Sequence, residues 1–231
     1  ANLWMKYSPL AFAKATPIEF IDALRFRCRI PLIREPVPCF CGTALPATHA
    51  SSIHLLSCSS VTGITKVHRH NLVCGSLARA FASAGIPTIS EPAFYNYADD
   101  RRCRPDFTLL VSGAPIAIDV TVVAPAPEPG KAAHDAAEAK KQKHSDAVKA
   151  LGQNFLPIAL GAGGHCDAAL DRLGAIIAEN AVAHHLGPDI VREMKHEVST
   201  AIARGNACIL RTAVERLRHV ASLGFAGSSS L

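Results

Sequence analysis

The stretch from Arg104 to Val123 reads RPDFTLLVSGAPIAIDVTVV, and its pattern decides the fold. Apolar residues alternate with polar or small residues over 104–111 and again over 115–123, which is typical of β-strands. The Ser-Gly-Ala-Pro segment between the two runs predicts a tight turn. We therefore expect a two-stranded antiparallel ribbon in the middle of the chain.

Two aspartates lie on one face of this predicted ribbon. With a two-residue turn at 113–114, Asp106 faces Thr121. Asp119 then faces Thr108, and the two carboxylates are diagonal neighbours with Cβ atoms about 7–8 Å apart. A carboxylate inside an apolar strand is costly unless it is paired or binds a metal, so the pair indicates a site for a divalent ion. The alternative is two aspartates that are capped or solvated at strand ends.

An Ala- and Lys-rich segment at 131–151 follows, and its periodicity predicts an amphipathic helix. One stripe of this helix carries the small and apolar residues Ala133, Ala136, Ala137, Ala147, Val148 and Leu151. Lys140 and His144 lie on the same stripe, so we expect them to point toward the sheet. Lys143 lies at the boundary of that stripe. A lysine beside a metal and a phosphate can stabilise developing charge or orient the attacking water. The alternative is a run of solvated lysines on the helix surface.

The segments around the ribbon predict a mixed α/β core with helices appended at both ends. Before the ribbon we expect a helix over 66–84, with Thr65 as its N-cap, and then a strand over 88–95. A buried strand at 155–160 follows the lysine-rich helix. Further helices are predicted at 17–29, 167–183, 188–204 and 207–222.

A second pattern, C-x-C-x12-H-x3-C, is typical of a zinc site. Cys39 and Cys41 are followed by His54 and Cys58, and zinc prefers thiolate and imidazole ligands in four-coordinate structural sites. The segment has few large apolar residues, which is the usual reason for a metal staple. His49 competes with His54 as the imidazole ligand. The alternative to a metal site is a loop of small buried residues.

Composition limits the class of protein. The chain has 231 residues, of which 49% are hydrophobic and 19% charged, which supports a packed core and argues against disorder. No apolar run is long enough for a transmembrane span. Residues 1–14 lack the order of a signal peptide. We interpret Ala1 as a cut point in a longer polypeptide, and the eight cysteines as thiols of a reducing compartment.

Basic residues are concentrated in the first half of the chain. The net charge is +5; residues 1–105 carry 12 basic and 6 acidic side chains, and residues 106–231 carry 12 and 13. This asymmetry indicates a face for a polyanion, although an ordinary soluble surface gives the same balance. The candidate DNA contacts are Arg69, His70, Asn71, Arg101, Arg102 and Arg104. The last three could instead neutralise Asp99 and Asp100.

Taken in order, the C-x-C, H-x3-C, R-H-N, R-P-D and D-V-T motifs and the lysine-rich helix resemble the restriction-like endonuclease domain of site-specific non-LTR retrotransposons. The resemblance covers about residues 36–165, and it looks most like elements that insert into ribosomal or spliced-leader gene arrays. In that family the domain lies after the reverse transcriptase of the polyprotein. It nicks one strand of target DNA, and the exposed 3′-hydroxyl primes reverse transcription of the element RNA.

The resemblance implies a fold and a domain plan. The fold is a PD-(D/E)XK restriction-endonuclease-like core, a mixed sheet flanked by helices and preceded by a small zinc knuckle. The plan is a linker or helical segment at 1–35, the knuckle at 36–65, the nuclease core at 66–165 and a C-terminal helical extension at 166–231.

The resemblance also implies site residues and partners. Asp106 and Asp119 would bind catalytic Mg²⁺ or Mn²⁺, and Lys140 or Lys143 would be the catalytic lysine, because Val-Thr after Asp119 lacks the usual lysine. His144 stands where the family often has tyrosine. Cys39, Cys41, His54 and Cys58 would bind structural Zn²⁺, and the Arg69 to Asn71 triplet would lie near DNA. The implied partners are double-stranded target DNA, the element RNA and the reverse transcriptase region, in the nucleus and without a membrane.

Two classes of function follow from these patterns. The first is a metal-dependent DNA endonuclease, in which a metal-activated water attacks the scissile phosphate in line. The second is a catalytically inactive, zinc-stapled nucleic-acid-binding module that docks a partner polymerase on DNA. A Holliday-junction-type resolvase is a third, weaker reading, and it requires a symmetric dimer that no motif specifies.

Overall fold

The computed structural model of the chain describes residues 16–95, 104–125, 128, 130–164, 168–183, 187 and 189–226. The elements within these ranges are α1 (Pro17–Arg27), β1 (Val37–Pro38), β2 (Ala44–Leu45), α2 (His49–Ser57), α3 (Ser59–Ser83), β3 (Thr88–Ser90), β4 (Phe107–Leu109), β5 (Ile116–Val123), α4 (Lys131–Ala150), β6 (Asn154–Gly161), α5 (Ala168–Ala183) and α6 (Ile190–Ala226). None of the helices in these ranges is long and apolar enough to cross a membrane.

The chain divides into two compact units. Within the described ranges, the first unit is formed by residues from His70 to Ser199 and is called the sheet unit. The second unit is formed by residues 16–69 and 200–226 and is called the knuckle unit. The long helices α3 and α6 each contribute residues to both units.

The sheet unit contains a four-stranded mixed sheet in the order β3-β4-β5-β6. β3 and β4 are antiparallel, as are β4 and β5, whereas β5 and β6 are parallel. Parallel neighbours need a long crossover, and α4 provides it. The chain order α3-β3-β4-β5-α4-β6 confirms the predicted mixed α/β core with helices flanking a sheet.

The predicted register of the ribbon is wrong by two residues. β4 pairs Phe107 with Ile118 and Leu109 with Ile116, so residues 110–115 connect the strands in place of a two-residue turn. The predicted partners of the two aspartates, Thr121 and Thr108, are replaced. Thr108 instead pairs with Ala117.

Residues 110–115 form the longer connection, although Leu110 still belongs to the ladder with β3. Its N–H donates to Pro87 O at 2.9 Å, one residue before the start of β3. Gly113, with φ of +97°, turns the chain back toward β5. A shift of two residues keeps every side chain on its predicted face, and only the neighbours along that face change.

Helix α4 packs against the sheet through its smallest residues. Ala133 and Ala137 are buried against Ala159 of β6, and Val148 is buried against Ala117 of β5. These positions belong to the predicted stripe, which is confirmed except at its end, where Leu151 is exposed. Because alanine side chains are short, the helix axis approaches the sheet closely, and longer side chains on the same face reach into the strands.

The helix boundaries differ from the prediction in two places. α3 begins at Ser59, so Thr65, the predicted N-cap, lies inside the helix. α6 is one helix, although two were predicted with a break near Gly205. A Cβ added at Gly205 would overlap Arg69, so this glycine serves a close helix contact and does not end the helix.

The knuckle unit is joined by polar contacts between α1 and α6. Thr16 and Glu19 form a capping box at the start of α1, with Pro17 in the first turn as predicted. Asp22 of α1 accepts a 2.7 Å hydrogen bond from Arg211 of α6. These contacts fix the first helix on the last one.

Candidate functional site

Asp119 lies in the middle of β5, a strand that is buried on both faces. Its neighbours Ala117, Ile118 and Val120 are at most 2% exposed, and Asp119 itself is 4% exposed. A carboxylate in this position has lost most of its hydration, so it must be protonated or paired with positive charge.

Helix α4 supplies the partners of Asp119. Lys140 Nζ lies 2.7 Å and His144 Nε2 lies 2.8 Å from Asp119 Oδ2. The two residues are four apart, so they lie on the same face of the helix. Burial disfavours the charged form of Asp119, but the contacts with His144 and Lys140 outweigh it, and the pKa of Asp119 is lowered. Asp119 is therefore an anion at neutral pH.

The two partners of Asp119 differ in their access to solvent. His144 is completely buried, and its ring centroid lies 5.3 Å from that of Phe155. The Lys140 side chain is 27% exposed to solvent. Lys143, the other candidate lysine, is exposed. Of the two lysines, Lys140 is the one beside the carboxylate.

Asp106 precedes β4 and is held by the main chain. Its Oδ2 accepts a 2.6 Å hydrogen bond from the Val120 N–H. The register of β4 and β5, extended by one pair beyond Phe107, puts Asp106 opposite Asp119. The acids therefore lie directly across the ribbon from each other, where diagonal positions were predicted. The Asp106 side chain is 18% exposed.

His70 and Cys74 face Asp106 from α3. His70 Nε2 lies 3.1 Å from Asp106 Oδ1 and 3.4 Å from Cys74 Sγ. The hydrogen bond that His70 donates to Asp106 raises the pKa of His70 against the effect of its burial, and Asp119 and Lys140 also act on His70 electrostatically. Burial, followed by the nearby carboxylates, raises the pKa of the Cys74 thiol. α3 thus lies against Asp106 through His70 and Cys74.

The R-H-N motif predicts DNA contact for His70, and no predicted motif includes Cys74. The structure brings both residues to Asp106. A signal for this was present, because His70-x3-Cys74 repeats the spacing of His54-x3-Cys58. That spacing places two side chains on one face of a helix.

The other candidate DNA contacts are placed differently. Asn71 and Arg104 are exposed. Arg101 and Arg102 lie outside the described residues. Exposure leaves the first two available to a phosphate backbone, which is the role that the sequence predicts for them.

The position of Arg69 differs from the DNA contact that the Arg69 to Asn71 triplet predicts. It is 3% exposed, and its Nη1 donates a 2.9 Å hydrogen bond to Asn206 Oδ1 in the knuckle unit. Burial lowers its pKa to about 10. Gly205 leaves the space for its side chain. Arg69 therefore joins α3 to α6, and this structural role replaces the predicted DNA contact.

The four predicted zinc ligands form one cluster in the knuckle unit. Cys39 Sγ lies 3.6 Å from Cys58 Sγ, and His54 Nε2 lies 3.4 Å from both Cys39 Sγ and Cys41 Sγ. A tetrahedral zinc ion with Zn–S of about 2.3 Å and Zn–N of about 2.0 Å has S···S edges of about 3.8 Å and S···N edges of about 3.5 Å. The cluster, called the zinc cluster below, could therefore hold a zinc ion.

Two short elements position the zinc cluster. Cys39 and Cys41 lie in the turn between β1 and β2, where Gly42 adopts a φ of +87°. His54 is in α2, and Cys58 is the C-cap of that helix, with its N–H bonded to His54 O at 2.9 Å. The turn thus brings one pair of ligands and the helix end brings the other.

The thiols of the zinc cluster differ in acidity. Hydrogen bonds from the Thr43 side chain and backbone lower the pKa of Cys41 to about 6. Burial raises the pKa of Cys39 to about 11. His49, the competing imidazole, packs against Phe26 with ring centroids 5.0 Å apart and is not a member of the cluster. His54 is therefore the imidazole of the zinc cluster.

No family model matches the chain, and no curated protein shows significant similarity to it.

Proposed function

We propose that the chain is a metal-dependent DNA endonuclease that nicks target DNA to prime reverse transcription of a non-LTR retrotransposon. The observation that carries the proposal is the convergence of Asp106, Asp119 and Lys140 from three different segments of the sheet unit. The order α3-β3-β4-β5-α4-β6 fits the PD-(D/E)XK core that the motifs suggest, and it supports the same reading.

The donor set fits a hard divalent ion. Mg²⁺ and Mn²⁺ prefer carboxylate oxygens, and Asp106 and Asp119 would hold the ion. The ion pairs that Asp119 forms with the described part of the chain both reach Oδ2, which leaves Oδ1 for a metal. When bound, the ion would activate a water molecule and neutralise charge on the phosphate.

Lys140 is the residue best placed to act on the phosphate. In the reaction, the water oxygen bonds to phosphorus, the P–O3′ bond breaks and the 3′ oxygen takes up a proton. Negative charge increases on the non-bridging oxygens, and a partly exposed ammonium beside Asp119 can stabilise it. His144 is completely buried and out of reach of a substrate, and its Nε2 lies 2.8 Å from Asp119 Oδ2, so it is a positioning residue.

Zinc and DNA complete the proposal. Zn²⁺ would occupy the zinc cluster as a structural ion, because four cysteine and histidine ligands leave no open position for chemistry. Duplex DNA would be contacted by the exposed Asn71 and Arg104. The further partners are the element RNA and the reverse transcriptase region of the same polyprotein, in the nucleus.

The burial of Asp119 favours a second candidate function. At 4% exposure, and with Lys140 and His144 as partners, Asp119 is satisfied without a metal. A fold that keeps this ion triad for stability alone would be a catalytically inactive nucleic-acid-binding module that docks a partner polymerase on DNA.

Plasmid nicking separates the two functions. The native chain, Asp106→Ala and Asp119→Ala are incubated with supercoiled plasmid and Mg²⁺, and DNA binding is measured in parallel by fluorescence anisotropy. We expect nicking by the native chain only, with similar DNA affinity in all three proteins, because the carboxylates act on the metal and not on the duplex. Nicks should carry a 3′-hydroxyl that a DNA polymerase extends. If the native chain binds DNA but nicks no faster than Asp119→Ala, the binding module is the better account.

A further inference from the structure

The sheet unit contains a second group of metal-ligating side chains. The imidazole of His70, the thiol of Cys74 and the carboxylate of Asp106 have their ligand atoms within 4.8 Å of one another, and all three residues are half-buried. This group is called the second cluster below. The DNA, magnesium and structural-zinc roles described above do not use Cys74.

The geometry of the second cluster matches the spacing of zinc ligands. The distance from His70 Nε2 to Cys74 Sγ is 3.4 Å, and that from His70 Nε2 to Asp106 Oδ1 is 3.1 Å. Tetrahedral zinc requires S···N edges of about 3.5 Å and N···O edges of about 3.3 Å, from the usual bond lengths. In the zinc cluster, His54 Nε2 likewise stands 3.4 Å from each of two sulfurs. Two of the three distances between ligand atoms therefore match a bound zinc ion, and the ligand atoms of Cys74 and Asp106 lie within 4.8 Å of each other.

The backbone holds these three ligands in place. His70 and Cys74 are four apart on the same face of α3. Asp106 is anchored through Oδ2 by the Val120 N–H, which leaves Oδ1 directed at His70. Two ligands from a helix and one from the sheet are therefore positioned by regular secondary structure, as metal sites require.

We propose that His70, Cys74 and Asp106 form an exchangeable site for a thiophilic divalent ion such as Zn²⁺. Thiolate and imidazole select zinc over magnesium, which prefers oxygen ligands alone. Three protein ligands leave a fourth position for water, so the ion is held less tightly than in a four-ligand structural site.

The second cluster shares Asp106 with the proposed magnesium pair. Zn²⁺ at the second cluster occupies a carboxylate that Mg²⁺ needs. Zinc therefore inhibits nicking, a consequence that rests on the proposed function. Because Cys74 belongs only to the second cluster, its replacement removes the inhibition without removing an acid of the magnesium pair.

Cobalt titration tests the site without reference to any activity. Co²⁺ is added to the full chain that already carries its tightly bound zinc, and the thiolate-to-cobalt charge-transfer band is recorded. We expect the native chain to bind one further equivalent of Co²⁺ with this band. Cys74→Ser should bind Co²⁺ at least about tenfold more weakly, since even outer-shell changes cost that much, and should lose the band. Cys208→Ser, which removes a half-buried thiol of the knuckle unit, should behave as the native chain does.

Three results would overturn the site. They are no further cobalt equivalent in the native chain, a charge-transfer band that persists in Cys74→Ser, and an equal loss in Cys208→Ser. If Cys74→Ser fails to fold, alkylation of the native chain decides the matter. Added Zn²⁺ should slow iodoacetamide labelling of Cys74, read by peptide mass spectrometry, and leave the exposed Cys28 unaffected. Unchanged labelling of Cys74 contradicts the proposal.

Plasmid nicking then tests the inhibition separately. Each rate with added zinc is divided by the rate of the same variant without it. We expect this ratio to be at least about tenfold lower in the native chain than in Cys74→Ser. A cobalt site with no zinc inhibition would refute the shared carboxylate, and nicking that is absent under all conditions would refute the proposed function while the cobalt result still stands.

Discussion

The zinc cluster and the second cluster present the same His-x3-Cys pair in different surroundings. In the knuckle unit the pair His54 and Cys58 meets two further cysteines, which completes a four-ligand shell. In the sheet unit the pair His70 and Cys74 meets one aspartate. A complete thiolate shell suits an ion that holds the fold together. An incomplete shell that shares an aspartate with the candidate active site suits an exchangeable ion.

The two clusters also differ in what supports them without metal. The second cluster is stabilised by the hydrogen bond between His70 and Asp106 and by the main-chain anchor from Val120. The residues of the zinc cluster contact one another mainly through sulfur, which is a weak hydrogen-bonding atom. Loss of metal should therefore unfold the zinc cluster and leave the second cluster intact.

Breaking the zinc cluster should have the largest effect on stability. Cys58→Ser removes a buried ligand, and we expect a loss of several kcal/mol in the free energy of unfolding because structural zinc contributes folding energy directly. Thermal unfolding followed by circular dichroism, with and without a zinc chelator, measures it. Chelation should lower the midpoint of the native chain and change Cys58→Ser much less. Equal midpoints for Cys58→Ser and the native chain would contradict a structural zinc.

Two lysines of α4, Lys140 and Lys143, differ in their distance from the carboxylates and should differ in their effect on nicking. Lys140→Ala should slow nicking by about 100-fold, equivalent to about 2.7 kcal/mol of transition-state stabilisation, because Lys140 lies 2.7 Å from Asp119. Lys143→Ala, on the exposed side of the same helix, should slow it less than about threefold. Single-turnover nicking measures both. Similar losses in the two variants would show that general helix charge matters, and not this contact.

Replacement of Gly205 tests the packing of α6 against Arg69 within the knuckle unit. Gly205→Ala should destabilise the chain by about 2 kcal/mol because its Cβ would overlap the Arg69 side chain. Gly63→Ala, in α3 with open space around the position, should stabilise it by about 0.5–1 kcal/mol. Urea unfolding compares the two variants. An unchanged midpoint for Gly205→Ala would refute the close contact between Arg69 and α6.

Breaking the second cluster should have the smallest effect on stability. Cys74→Ser, with zinc retained in the zinc cluster, should change the free energy of unfolding by less than about 1 kcal/mol, because the hydrogen bond between His70 and Asp106 remains. Urea unfolding of Cys74→Ser beside Cys58→Ser measures the contrast. A loss as large as that of Cys58→Ser would mean that both clusters are structural.

Local periodicity predicts the parts of the fold that depend on few residues. β5 and the buried stripe of α4 follow from alternation and helical spacing, and both are confirmed. The ribbon register does not follow, because alternation fixes the face of each residue but not the length of the connection between the strands. A tight turn at Ser-Gly-Ala-Pro is plausible locally, but residues 110–115 form a longer connection.

The candidate site shows the same division. The pairing of Lys140 and His144 with the sheet follows from their helical spacing, and both reach Asp119. The burial of Arg69 depends on Asn206 and Gly205, far away in sequence, so its motif could not reveal it. Cys74 could have been found, because its spacing from His70 copies that of the zinc cluster.

The most direct measurement of the central claim is Mg²⁺-dependent, single-turnover nicking by Asp119→Asn. This substitution keeps the shape of the side chain and removes the charge that pairs with Lys140 and that we propose binds the metal. Asp135→Asn, an exposed position of α4, is the matched control. Our account predicts a rate at least about 100-fold below the native rate for Asp119→Asn and a native rate for Asp135→Asn. Native nicking by Asp119→Asn would contradict the claim that the carboxylates of the ribbon cut DNA.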